Sequence, residues 1–128
     1  MRIAKALTIA GSDSGGGAGI QADLKSFSAR GVYGTSVITA VTAQNTVAVT
    51  HVEGLSGDSV TAQIRAVLDD IAIDTIKIGM LGTASMIDTV ADAISGFGGA
   101  IVVDPVITAK SGDCLLYTSP SPRDLSTS

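Results

Sequence analysis

Five glycines fall within nine residues in Gly11-Ser12-Asp13-Ser14-Gly15-Gly16-Gly17-Ala18-Gly19, and the loop opens onto Ile20-Gln21-Ala22-Asp23. Glycines allow positive φ and let a backbone approach a ligand closely. Free backbone N–H groups at the start of a helix favour polar or anionic partners. A flexible connector is the alternative. Asp13 and Asp23 bracket the loop, however, and a helical pattern begins inside it, which points to a built site.

Four other residues carry possible chemistry. Gln44 presents a donor and an acceptor side by side, matching the edge of an aminopyrimidine or a carboxamide; a loop-capping amide is the other reading. Asp23 could accept a hydrogen bond from a ligand hydroxyl or amine, or lie on a solvated helix face. Met80, after Gly79, could pack on a flat ring, or simply fill the core. Asp104 could organise Mg²⁺ through water, or start a turn before Pro105. Lys77 stands between two isoleucines in a strand that should be buried, so a structural ion pair with a carboxylate is expected, with an active-site charge as the other reading. His51 lies alone in a polar stretch and reads as a surface residue. Cys114 receives no catalytic role.

Several motif families are excluded. Gly11 to Gly16 has Walker A spacing, but Gly17-Ala18 stands where Lys and Ser or Thr belong. A dinucleotide fingerprint starting at Gly15-x-Gly17 would need Gly or Ala at position 20, where Ile20 stands, and no acidic residue waits for a ribose beside Gln44. A nicotinamide-dependent oxidoreductase is therefore a weak alternative. With His51 as the only histidine, neither a nucleophile–His–acid set nor a metal-ligand cluster can be assembled.

These residues must be positioned by regular elements. Leu7 to Ala10 reads as a first strand ending at Gly11. About Gly17 to Arg30 reads as a helix, with Ile20, Leu24 and Phe27 on one face and Gly31 as its C-terminal cap. Ser36 to Thr42 is rich in β-branched residues and reads as a second strand, followed by a polar loop from Gln44 to about Asp58. Ser59 is the expected cap of a helix carrying Val60, Ile64, Val67, Leu68 and Ile71. Thr75 to Ile78 is a third strand, and Thr83 caps a third helix with Met86, Ile87, Val90 and Ile94. Ala100 to Val103 is a fourth strand. The order β-α-β-α-β-α-β implies an α/β fold with a parallel sheet and right-handed crossovers. Parallel sheets bind ligands outside the carboxyl ends of their strands. The groups Gly11-Ser12-Asp13, Gln44-Asn45-Thr46, Gly79-Met80 and Asp104-Pro105-Val106 are then expected on one rim.

Composition agrees with this class. The 128 residues are 45% hydrophobic but only 3% aromatic, so the core must be aliphatic, which suits parallel strands covered on both faces. A net charge of −4 argues against nucleic acid as the main partner. No apolar run has membrane-spanning length, and the N-terminus lacks a signal-peptide pattern. A single cysteine excludes an internal disulfide, and a cytoplasmic location follows. The last twelve residues, from Tyr117, have no apolar period and two prolines, and are expected to be disordered. A sheet of four strands ending on such a tail leaves an uncovered edge, so marginal stability and aggregation are expected.

Taken together, Ala6 to Asp23, Thr39 to Thr46, Ile76 to Leu81, Asp104-Pro105-Val106 and Ala109-Lys110-Ser111-Gly112 resemble hydroxymethylpyrimidine/phosphomethylpyrimidine kinase. This is the bifunctional kinase of thiamine biosynthesis, in the ribokinase-like superfamily. The resemblance covers residues 1–113. It implies a three-layer, Rossmann-like parallel sheet of the ribokinase-like type, truncated after about four β-strands. It also implies ATP-dependent phosphorylation of 4-amino-5-hydroxymethyl-2-methylpyrimidine and then of its monophosphate, with Mg²⁺, usually in a homodimer. By motif position, Asp23 and Gln44 would hold the pyrimidine's polar groups, and Gly11, Met80 and Val106 would line the ring pocket. Ile107 replaces the methionine typical of the family, a volume-conserving change. Family members are longer: their C-terminal half carries a glycine-rich anion hole, the residue that activates the substrate hydroxyl and most of the ATP site. The catalytic residues are therefore expected outside this sequence, and residues 114–128 read as a foreign tail. This chain alone is expected to be inactive. The alternatives are a pyridoxal or pyridoxine kinase and a non-catalytic small-molecule binding half-domain.

Overall fold

A computed structural model describes residues 2–104. Nine elements follow one another: β1 (Lys5–Ala10), α1 (Gly19–Ala29), β2 (Tyr33–Ile38), β3 (Ala40–Gln44), β4 (Val49–Gly54), α2 (Gly57–Leu68), β5 (Thr75–Ile78), α3 (Ala84–Ala93) and β6 (Ala100–Val103). β2, β1, β5 and β6 form a four-stranded sheet in that order, parallel throughout. β3 and β4 form a separate antiparallel ribbon.

The sheet has helices on both faces, giving three layers. Leu7 and Ile9 of β1, Val37 of β2 and Ile76 and Ile78 of β5 point to one face. There they meet Val60 and Ile64 of α2 and Met86 and Val90 of α3, with Ile94 just past its end. On the other face α1 lies against β2 so closely that a Cβ on Gly34 would come within 2.9 Å of Leu24 and 3.0 Å of Phe27. β1 is therefore buried on both sides, as a central parallel strand requires. β6 forms one edge, and its Ile101, Val102 and Val103 are exposed.

Caps explain the helix boundaries. Gly31 follows α1 at φ +70°, the left-handed conformation that ends helices. Thr83 caps α3 by accepting from the Met86 N–H at 3.1 Å. α2 is capped by Ser56, not Ser59: the Ser56 hydroxyl accepts from the Ser59 N–H at 3.1 Å. Ser59 is thus the third residue of the helix, and the earlier serine supplies the acceptor.

The expected second strand, Ser36 to Thr42, is in fact two. The chain breaks at Thr39, whose N–H still extends the sheet by donating to Ala10 O at 2.9 Å. Gln63 of α2 then clamps Ile38 from the side. Its Oε1 accepts from the Ile38 N–H and its Nε2 donates to the Ile38 carbonyl, both at 2.9 Å. This satisfies the edge of the sheet where a further strand would pair. Beyond it the β-branched run continues as β3, paired with residues expected to be loop. Among the described residues no helix is long and apolar enough to cross a membrane.

Candidate substrate-binding site

The sheet order places a topological switch between β1 and β5, whose crossovers leave in opposite directions, and such switch points open a crevice at the carboxyl ends of the strands. The loop after β1 and Gly79-Met80 after β5 lie there. Gly79 N donates to Ile9 O at 2.9 Å, and Thr39 Oγ1 donates to Met80 O at 2.8 Å. The thioether end of Met80 lies over Gly11, so that a side chain on Gly11 would overlap it. Asp104 N donates to Ile78 O at 2.8 Å, which brings Asp104 to the same end.

The glycine loop is organised around an anion, and the anion is its own. Asp13 is only 5% exposed. Its Oδ1 accepts from Gly15 N at 2.7 Å and its Oδ2 from Gly17 N at 2.9 Å, while Gly16 N bonds the Asp13 carbonyl. Gln21 Oε1 in turn accepts from Asp13 N at 2.7 Å. Gly19, at φ +57°, packs on the Gly11 carbonyl, which accepts from Ile20 N at 3.0 Å. Two N–H groups of the loop, those of Gly15 and Gly17, are thus taken by a carboxylate just ahead of α1, where they would otherwise face a ligand anion. This is the physical counterpart of the failed Walker A comparison.

Asp23, on α1, does not lie on a solvated face. Its Oδ2 accepts from Thr8 Oγ1 at 2.6 Å and from Lys77 Nζ at 2.9 Å, and its Oδ1 accepts from Lys77 at 3.1 Å. Both partners are about four-fifths buried, with 20% and 18% of the Lys77 and Asp23 side chains exposed. Thr8 and Lys77 are register partners across β1 and β5, so one sheet face presents both to the helix. The ion pair expected for Lys77 is therefore present, and Asp23 is its carboxylate. A Cβ on Gly79 would meet Lys77 Nζ at 3.0 Å, so the glycine leaves room for the ammonium below the switch point.

Gln44 reaches the rim by another route than expected. It ends β3 of the antiparallel ribbon, not a strand of the parallel sheet. Its carboxamide has no hydrogen-bond partner among the described residues, so it caps no loop there. It borders a small cavity of about 80 Å³ that the glycine loop shares with the β3–β4 turn, lined by Asp13, Gly15, Gly17 and Asn45 among others. Asn45 is a turn builder, its Oδ1 accepting from Val47 N and Ala48 N at 2.8 and 3.0 Å. Val106, Pro105, Ile107, Cys114 and the boundary near residue 113 lie outside the described residues.

The structure thus brings Gly11, Met80 and Asp104 to one end of the sheet, sets Asp23 on the α1 face over Thr8 and Lys77, and leans Gln44 on the same glycine loop. Not singled out from the sequence were Ser12, Ser14 and Thr39 as hydroxyls that bind backbone, or Thr8 as a partner of the Asp23 carboxylate, and Asp13 was read only as a bracket of the loop. The Asp-x-Gly-x-Gly spacing of residues 13 to 17 was the available signal for Asp13. Among the described residues no group of three or more His, Cys, Asp or Glu could hold a metal ion. A Mg²⁺ ion held mostly by water and substrate phosphates needs only one or two protein carboxylates, which Asp104 fits.

Residues 13–121 match the family model described as phosphomethylpyrimidine kinase. The chain is 60% identical over 111 residues to the hydroxymethylpyrimidine/phosphomethylpyrimidine kinase of Rhizobium meliloti, covering 87% of this chain and 42% of that protein. Its fold is similar to the crystal structure of the phosphomethylpyrimidine kinase from Clostridium difficile, with a TM-score of 0.82 and 51% identity, covering 91% of this chain and 50% of that one. It is also similar to a pyridoxal kinase from Staphylococcus aureus solved with AMP-PCP and pyridoxal, with a TM-score of 0.76 and 37% identity, covering 88% and 42%. The chain spans about half the length of the proteins it matches.

Proposed function

Because the chain belongs to the phosphomethylpyrimidine kinase family, we propose that the protein it represents transfers the γ-phosphoryl group of ATP to the hydroxyl of 4-amino-5-hydroxymethyl-2-methylpyrimidine, and then to the monophosphate. The observation that carries this reading is the carboxamide of Gln44, without a hydrogen-bond partner among the described residues, beside a glycine loop whose Gly15 and Gly17 N–H groups are already taken by Asp13. Such a loop suits the uncharged heterocycle better than the triphosphate.

In this reading Gln44 offers its donor and acceptor to the ring nitrogen and amino edge, and Asp23 accepts from the amino group. Lys77 keeps the Asp23 carboxylate in place. Gly11 and Met80 form the surface against which the ring packs; Val106 is assigned to the same pocket by the family resemblance alone. Asp104 would hold Mg²⁺ through water; the ion supplies charge neutralisation on the transferring phosphates. Phosphoryl transfer depends chiefly on positioning and on stabilising charge in the transition state. The groups that perform this are assigned to the part of the family's length that this chain does not cover, and the 128-residue chain alone is assigned ring binding without turnover. A cytoplasmic homodimer completes the proposal.

Titration with the pyrimidine alcohol and with pyridoxal, each with and without Mg-ATP, tests it. The pyrimidine should bind more tightly, and no phosphate should transfer. Tighter pyridoxal binding would support the pyridoxal kinase reading, as the structural likeness to pyridoxal kinases allows. Failure of both to bind would overturn the assignment of the rim, and transfer at an ordinary kinase rate would overturn the assigned inactivity.

A further inference from the structure

We propose that Ser14 is a positioning residue for Gln44 and thereby sets the preference for an amino-bearing ring edge. The inference rests on the reading of Gln44 given above. Ser14 Oγ donates to the Gln44 carbonyl at 2.6 Å and accepts from the Gln44 N–H at 2.7 Å. One hydroxyl supplies both halves of the pairing that a neighbouring strand would provide.

Ser12 pairs with β3 two residues earlier through its backbone as well as its hydroxyl. Its N–H donates to Ala40 O at 2.9 Å, its Oγ accepts from Thr42 N at 3.2 Å, and Thr42 Oγ1 donates to its carbonyl at 2.8 Å. Residues 12 to 14 therefore run beside β3 as a surrogate strand built partly from serine hydroxyls. The pairing matters most at its end. The β3–β4 register shifts between Ala43 and Gln44: Ala43 opposes His51 and Gln44 opposes Val49, so Thr50 is the extra residue of a bulge. Bulges re-aim side chains and loosen the ladder locally. Gln44 is thus held less by its own ribbon than by Ser14. Gly15 reinforces the contact, since a Cβ there would come within 3.0 Å of Asn45 Cα and 3.2 Å of the Gln44 carbonyl. Ser14 is exposed, so truncating it leaves the core intact.

The test compares the 128-residue chain with its Ser14→Ala and Ser14→Thr variants by NMR. Each is titrated with 4-amino-5-hydroxymethyl-2-methylpyrimidine and with the analogue lacking the 4-amino group. Losing one hydrogen-bonding hydroxyl should weaken binding of the amino compound about fivefold in Ser14→Ala, leave the analogue unchanged, and be rescued by Ser14→Thr. Equal weakening of both ligands, or of neither, would overturn the proposal. In the same samples the Gln44 backbone amide should exchange about tenfold faster in Ser14→Ala, with its χ1 averaging over rotamers. An unchanged Gln44 amide and rotamer would overturn the proposal even if no ligand binds, whereas absence of binding by the unmodified chain would overturn only the pyrimidine reading.

Discussion

The Cα of Gly11 faces the terminal methyl of Met80, so that a Cβ at Gly11 would occupy the space Met80 Cε holds. The first residue of the glycine loop and the first side chain after β5 are therefore one contact surface. Gly19 is a different case, because its missing Cβ would strike the Gly11 carbonyl and its φ is +57°.

Gly11→Ala and Gly19→Ala should consequently separate binding from stability. Met80 is a flexible side chain that can move aside, so Gly11→Ala is expected to cost less than about 1 kcal/mol while reshaping the ring floor. Gly19→Ala meets backbone in a left-handed conformation and should cost about 2 kcal/mol or more. Urea unfolding of both variants with a ligand titration of the first checks this; equal stability losses would contradict it.

Lys77→Met leaves the Asp23 carboxylate with only Thr8 among the described residues. Removing one partner of a largely buried pair should destabilise by about 3 kcal/mol, and Lys77→Met/Asp23→Asn should cost less than the two single changes added together. A double-mutant cycle in urea measures this. Strict additivity would mean the two groups do not interact.

Asp13→Asn replaces an oxygen that accepts from Gly17 N with an amide that cannot. Leaving that donor unsatisfied should cost about 1–3 kcal/mol. Hydrogen exchange at Gly15 and Gly17 should accelerate, while the α2–α3 face of the sheet stays protected. Unchanged protection in the loop would show that Asp13 does not organise it.

Asp74 ties the amino ends of β1 and β5 together. Its carboxylate accepts from Lys5 N at 2.8 Å and pairs with Arg2. The Lys5 N–H first, and then the Arg2 guanidinium, hold its pKa below the ordinary 3.8. A carboxyl whose pKa is lowered by folding stabilises the folded state above its unfolded value and loses that contribution as pH falls through the folded one. Asp74→Asn should therefore lower the denaturation midpoint at pH 7, and the gap should narrow progressively as pH falls below about 3.8. A gap that persists or widens there would refute the linkage.

Much was legible in the residues alone because it is local or periodic. The apolar faces of α1, α2 and α3, the alternation that forces a parallel sheet, the caps at Gly31 and Thr83, and the need of Lys77 for a carboxylate all follow from side-chain chemistry read along the chain. Tertiary structure decided what depends on choosing among equivalent partners. The β-branched run from Ser36 to Thr42 can pair anywhere, and only the clamp of Gln63 on Ile38 and the serines of the glycine loop divide it between two sheets. Hydroxyls and amides satisfy many partners equally well, so their spacing does not name the one they take. Ser14 on Gln44 emerges only when segments thirty residues apart are brought within 3 Å, whereas Asp13 on its own loop is a local contact that the Asp-x-Gly-x-Gly spacing could have signalled.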